Sequence, residues 1–148
     1  MKGIYEAADN FILELTNAGF NSVTFGSISD VDIEKQNLYP FANIELENAA
    51  LTGKVSNITF NVIAADIVDD KSTKTGLKQR TDNLLDIYHD IATLVNTAWQ
   101  RYLRNPSVNY IVSPELNMDA FNMRFENRLA GYEFNFTIQI PNTQESAC

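Results

Sequence analysis

Hydrophobic and polar residues alternate without interruption in the stretch 131–141, GYEFNFTIQIP. The apolar positions are Tyr132, Phe134, Phe136, Ile138 and Ile140, and the polar positions between them are Glu133, Asn135, Thr137 and Gln139. A period of two is typical of a β-strand with one buried and one solvent-facing side. Gly131 and Pro141 are expected to bound this strand, because both residue types disfavour strand interiors.

A second long strand is predicted over residues 55–68, VSNITFNVIAADIV. Ile58, Phe60, Val62 and Ala64 share one side, whereas Thr59, Asn61, Ile63 and Ala65 share the other. We expect it to pair antiparallel with the strand at 131–141, because the two polar sides then form one sheet surface rich in hydroxyl and amide groups.

Two helices are predicted from apolar residues that recur every three or four positions. The first covers about residues 4–16 and ends before Gly19, and the second covers about 81–104 and ends before Asn105-Pro106. In the second helix the acids lie early and the arginines late, as the helix dipole favours.

Shorter strands are predicted near Phe25 and over 41–47, 108–112 and 120–126, with a turn at 48–53. Residues 27–39 are polar and acidic, and an extended connection or weak edge strand is expected there. The order predicts an α+β fold, a mainly antiparallel β-sheet with both helices packed on one face. Residues 1–142 are expected to form a single domain and 143–148 a mobile polar tail.

Composition and charge limit the classes of function that the chain can have. The chain has 148 residues, 45% of them hydrophobic, and a formal net charge of −8. This charge disfavours wrapping of nucleic acid, although an acidic wall would suit a channel through which DNA slides. The single cysteine, Cys148, leaves no internal disulfide. No stretch is typical of a membrane span or a signal peptide, so an intracellular origin is the expectation.

The candidates for catalysis or metal binding are few. His89 is the only histidine and is predicted on a helix flank. Asp66, Asp69 and Asp70 lack calcium-loop spacing. Glu45 and Glu47 are more typical of a charged strand edge than of an acid–base pair. We therefore predict no catalytic residue, no cofactor and no metal.

A basic segment stands out against the acidic chain. Residues 69–80, DDKSTKTGLKQR, carry Lys71, Lys74, Lys78 and Arg80 but no phosphate-binding motif and no aromatic residue for base stacking. A solvated loop is one interpretation. The other is an arm that contacts an acidic neighbour, between subunits or on a partner protein.

The order of elements, together with YPFANIEL at 39–46 and AGYEFNFTIQIPN at 130–142, resembles small tail-completion, tail-terminator and neck-ring proteins of tailed bacteriophages, in particular phages of Bacteroidetes hosts. The resemblance covers most of residues 1–142. It implies a non-catalytic virion protein that forms a homo-oligomeric ring, sixfold or a multiple of it, in which the sheets line a channel. The ring would be assembled in the host cytoplasm.

In such a ring the expected neighbours are further copies of the chain and the portal, neck or tail proteins, with DNA only as passing cargo and no membrane. Glu133, Asn135, Thr137 and Gln139 are then the candidates for a channel wall or a subunit seam. Two alternatives stay open: a small intracellular ligand-binding domain or enzyme that uses acidic residues, and a protein–protein adaptor.

Overall fold

The computed structural model describes residues 2–26, 39–68, 84–105, 107–124 and 129–141. Within these ranges the chain forms helices α1 and α2 and strands β1 to β6. Their bounds are α1 Lys2–Ala18, β1 Ser22–Phe25, β2 Phe41–Leu51, β3 Val55–Ile67, α2 Leu84–Arg104, β4 Ile111–Val112, β5 Met118–Arg124 and β6 Leu129–Pro141. The predicted α+β fold is confirmed.

The strands form one mixed, mostly antiparallel sheet. Its order is β1-β2-β3-β6-β4, and β5 also pairs with β6, beside β4 along the same edge. The pair β1–β2 is parallel, and the other pairs are antiparallel. The two strands with the clearest alternation, β3 and β6, are therefore neighbours at the centre of the sheet.

The register of β3 and β6 places side chains of the same kind opposite each other. Phe60 lies opposite Phe136, Asn61 opposite Asn135, and Thr59 opposite Thr137. The apolar pair faces the helices, whereas the amide and hydroxyl pairs face the other side. This confirms the predicted pairing of the two strands and the predicted division of their side chains between the two faces.

Both helices pack on the apolar face of the sheet, as predicted. Phe11 of α1 lies at the centre of this core, with ring centroids 4.8 Å from Phe136, 5.0 Å from Tyr102 and 5.9 Å from Trp99. The hydroxyl of Tyr102 in α2 donates a hydrogen bond of 3.0 Å to the carbonyl of Ala7 in α1. The aromatic cluster and this bond hold the two helices against each other and against the sheet.

Several bounds differ from those predicted. Strand β2 continues to Leu51 through the expected turn, because Asn48, Ala49 and Ala50 pair with β3 after a bulge near residue 47. Strand β6 begins at Leu129, so Gly131 lies inside the strand and does not open it. Strand β4 is only Ile111–Val112. Residues 27–38 of the predicted connection at 27–39, and the tail at 143–148, lie outside the described residues.

Candidate functional site

A groove of about 550 Å³ lies on the sheet face opposite the helices. Its floor is formed by Asn61 of β3 and by Glu133, Asn135 and Thr137 of β6. The walls come from two separate segments: Glu47 on one side, and Ser113, Glu115, Asn117 and Asp119 on the other. The groove thus combines the polar side of the two central strands with the segment that joins β4 to β5.

The groove opens where β6 lacks a full partner strand. Strand β4 pairs with Ile138 and Gln139, and β5 pairs with β6 only as far as Phe134. Between them, residues 113–117 leave the sheet. The amide of Ser113 still donates to the carbonyl of Thr137 at 3.1 Å, so the segment curves away from the sheet only beyond this point.

The wall segment 113–117 is anchored from the core side. The indole Nε1 of Trp99 donates a hydrogen bond of 3.2 Å to the carbonyl of Pro114. Leu116 packs against the main core cluster. Because the segment is fixed by one hydrogen bond and one apolar contact from behind, its polar side chains are directed toward the groove without the support of a strand.

The floor is organised by hydrogen bonds between β3 and β6. The hydroxyls of Thr59 and Thr137 are 3.0 Å apart, and the Nδ2 group of Asn61 donates to Oε2 of Glu133 at 3.1 Å. These bonds run across the strand pair on the polar face. They fix the side-chain positions of the floor before any ligand or partner arrives.

The electrostatic character of the groove is acidic. Glu47, Glu115, Asp119 and Glu133 contribute carboxylates, and the remaining polar lining groups are amides and hydroxyls. No lysine or arginine is among the described residues that line it. A surface of this kind attracts cations and repels phosphate.

The structure brings together most of the polar positions that the sequence singled out on β6. Asn135 and Gln139 are exposed, and Glu133 and Thr137 are half-buried. Three of them line the groove, whereas Gln139 lies farther along the strand, opposite Ile111 of β4. Their role in a channel wall or seam stays a prediction. Lys71, Lys74, Lys78 and Arg80 lie outside the described residues.

The other sequence candidates do not converge on the groove. His89 is exposed on α2. Asp66 lies near the end of β3, opposite Ala130, while Asp69 and Asp70 lie outside the described ranges. Within the described ranges, no group of three or more potential ligands is placed to hold a metal ion. Glu47, first considered for its position on a strand edge, does line the groove.

The carboxyl group of Asp66 has a raised pKa. Burial raises the pKa of its carboxyl above the ordinary value, an effect that the hydrogen bond from the amide of Ile67 opposes and the charge of Asp90 reinforces. That bond, from the Ile67 nitrogen to Oδ1, is 2.7 Å long. The folded state therefore favours the neutral carboxyl, so ionisation of Asp66 reduces stability.

The substitution Asp66→Asn tests this effect. Asparagine keeps the acceptor for Ile67 but carries no charge, so the variant should melt at a higher temperature than the wild type at pH 7. The gain should shrink as pH falls through the raised pKa of Asp66 and vanish below the ordinary carboxyl range, where both proteins are neutral at this position. Thermal unfolding across pH 3–7 measures it, and a gain independent of pH would contradict it.

The wall segment 113–117 was missed as part of a site. It lies between two short strands, and its polar residues follow no periodic pattern that would predict a common direction. The available signal was the cluster Pro114, Glu115 and Asn117, typical of an irregular connection. Which sheet position such a connection covers depends on the pairing of β4 and β5 with β6, which is a long-range property.

No helix in the described ranges has the length and apolar character that a membrane span requires. No protein-family model matches the chain, and no curated protein matches it either.

Proposed function

We propose that this chain is a non-catalytic structural subunit of a homo-oligomeric ring in the neck or tail of a tailed bacteriophage, of the tail-terminator or head–tail-joining type. Copies of the chain surround a conduit for DNA, and the ring contacts neighbouring portal, neck or tail proteins. The observation that carries the proposal is the acidic, amide-rich face of the sheet, on the side away from both helices.

The chemistry of this face suits passage of DNA better than its retention. A protein that holds DNA neutralises phosphates with lysine and arginine, and each such contact adds affinity. The groove offers carboxylates instead, from Glu47, Glu115, Asp119 and Glu133. A wall with this charge repels phosphate and so lets the duplex slide.

The layered architecture also supports the proposal. Both helices cover one face of the sheet. On the opposite face Phe41, Ala65 and Leu129 form a small buried cluster, and in the described part of the chain the polar groove beside it is available to line a lumen. In this arrangement Glu133, Asn135 and Thr137 face the channel. The segment with Lys71, Lys74, Lys78 and Arg80 supplies a contact to an acidic surface of the next subunit or the next ring.

Measurement of molar mass tests the ring directly. The purified protein should show a discrete mass of six subunits or a multiple of six in light scattering or native mass spectrometry. Higher salt should weaken this assembly if charged contacts contribute, because exposed ion pairs are screened. A protein that remains a monomer at high concentration, and that is absent from phage particles, would refute the proposal.

A second candidate function is binding of a small cationic ligand, which the pre-arranged groove favours. Its volume of about 550 Å³ falls within the range of ligand pockets. A polyamine such as spermidine is a suitable probe. Ligand binding predicts a saturable rise in melting temperature that Glu133→Gln lowers, whereas the ring predicts no saturable effect on the isolated subunit.

A further inference from the structure

We propose that the outer edge of β2, over residues 46–51, pairs with the β4 edge of a second copy of the chain, so that copies join head to tail through a continued sheet. This proposal rests on the proposed ring and names the surfaces that join its subunits. It follows from the backbone pairing and the exposed side chains of the two edges, and from the symmetry that a ring requires.

Strand β2 is only partly covered on its outer side. In the described part of the chain, β1 pairs with Phe41, Ala42, Asn43 and Ile44 and then ends. The rest of β2 continues to Leu51, and over the described residues it is paired with β3 alone. Residues 46–51 are all exposed. A strand edge of this length is a template for addition of another strand.

Backbone alternation identifies the groups that this edge presents. The carbonyl of Ile44 points outward, because it accepts from the amide of Gly26, and the amide of Thr52 points inward, because it donates to the carbonyl of Val55. Alternation across the bulge near residue 47 then directs the amides and carbonyls of Leu46, Ala49 and Leu51 outward. Asn48 and Ala50 instead bond with β3.

The side chains of this edge are those of a contact surface. Leu46 is 47% exposed, Leu51 71% and the neighbouring Phe25 50%. Residues 46–51, LENAAL, contain neither lysine nor proline, the residues that most often protect an edge from pairing. Glu47 gives the edge negative charge.

The β4 edge is also exposed and apolar. Val108 is 97% exposed and Ile111 64%. The rings of Tyr110 and Tyr102 stack with centroids 6.2 Å apart, so the C-terminal end of α2 lies beside β4. That end carries exposed Arg101 and Arg104. The same region also holds Glu6 of α1, whose carboxylate accepts hydrogen bonds from Ser107 and Asn109, so this edge is apolar with charges of both signs nearby.

Symmetry decides between the two ways in which copies could join. Pairing of β2 with β2 across a twofold axis uses the same surface on both copies and stops at a dimer. Pairing of β2 with β4 instead uses the two opposite edges of the sheet. Because such a contact joins two different surfaces, it leaves one of each exposed and propagates until a ring closes.

A proline substitution at an outward-facing position of β2 tests this contact without removing a hydrogen bond of the folded subunit. Ala49→Pro removes an amide that points away from β3, at an exposed position where proline is tolerated in edge strands. It should abolish assembly at concentrations at which the wild type is fully assembled. The matched control Ala49→Val keeps the amide and should assemble. Circular dichroism and melting temperature must show that both variants are folded.

Mixing two variants tests the head-to-tail arrangement. Ile111→Asp places a negative charge on the β4 edge at an exposed position, and it too should not assemble. A mixture with Ala49→Pro should give a one-to-one complex and nothing larger, because each variant retains the edge that the other lacks. If β2 paired with β2, Ile111→Asp would assemble and the mixture would form no new complex, which would overturn the proposal.

The outcomes also separate this proposal from the ring itself. If the wild type is a ring and Ala49→Pro, folded, still assembles, then the subunits join elsewhere and only the assignment of the edge is wrong. If the wild type does not assemble at any concentration, the proposed ring fails and the edge contact fails with it.

Discussion

Replacement of Phe136 by aspartate is expected to prevent folding. The side chain is 2% exposed, and its ring lies 4.8 Å from that of Phe11, 5.2 Å from Phe60 and 5.6 Å from Trp99. Loss of a buried phenylalanine costs about 3–5 kcal/mol. A carboxylate left there without a partner adds several kcal/mol more. Together these costs approach or exceed the 5–15 kcal/mol that typically stabilises a domain.

The adjacent position supplies the control for Phe136→Asp. Asn135 is exposed on the opposite side of the same strand, so Asn135→Asp should leave the melting temperature nearly unchanged. Expression of soluble protein, circular dichroism and thermal unfolding compare the two variants. A native-like Phe136→Asp protein would show that the apolar and polar sides of β6 have been assigned to the wrong faces.

Replacement of Gly131 by alanine is expected to be almost as damaging, for a different reason. A Cβ atom at this position would overlap the carbonyl oxygen of Ala64 and lie 2.8 Å from the Cα of Ala65. Both atoms belong to the backbone of central strand β3 and cannot turn aside as a side chain could. The cost should therefore exceed the ~1–3 kcal/mol typical of an overfilled core.

Gly53 is the matched control for Gly131. A Cβ atom at Gly53 would meet no atom within 4 Å, so Gly53→Ala should change stability little. Chemical denaturation gives the free energy of unfolding for both variants. If Gly131→Ala lost less than ~1 kcal/mol, β3 and β6 could not approach each other as closely at this point as the structure requires.

The local pattern of hydrophobic and polar residues was sufficient to predict the central part of this fold. Strict alternation in β6, and alternation in β3 as far as Val62, determined both their type and which side is buried, because a shift of one residue would turn every phenylalanine to solvent. The helices followed from apolar residues spaced three and four apart. These elements are long and strongly periodic, so local sequence and tertiary packing favour the same structure.

Sequence reasoning failed where pairing between distant residues overrides local preference. Asn48, Ala49 and Ala50 have weak strand propensity, and only their register with β3 makes them a strand. Gly131 is typical of a strand boundary, but here it allows β3 and β6 to approach closely. Neither the part of the β2 edge that β1 leaves unpaired in the described chain nor the wall of the groove could be inferred, because both depend on where β1, β4 and β5 end.

The central claim is that copies of this chain form a closed ring whose acidic sheet face lines the channel. Electron microscopy of the assembled protein, with a gold label on Asn135→Cys in a Cys148→Ser background, tests it most directly. We expect closed rings with sixfold symmetry or a multiple of it, and with the label inside the central opening. Particles without a central opening, or rings that carry the label on their outer rim, would contradict it.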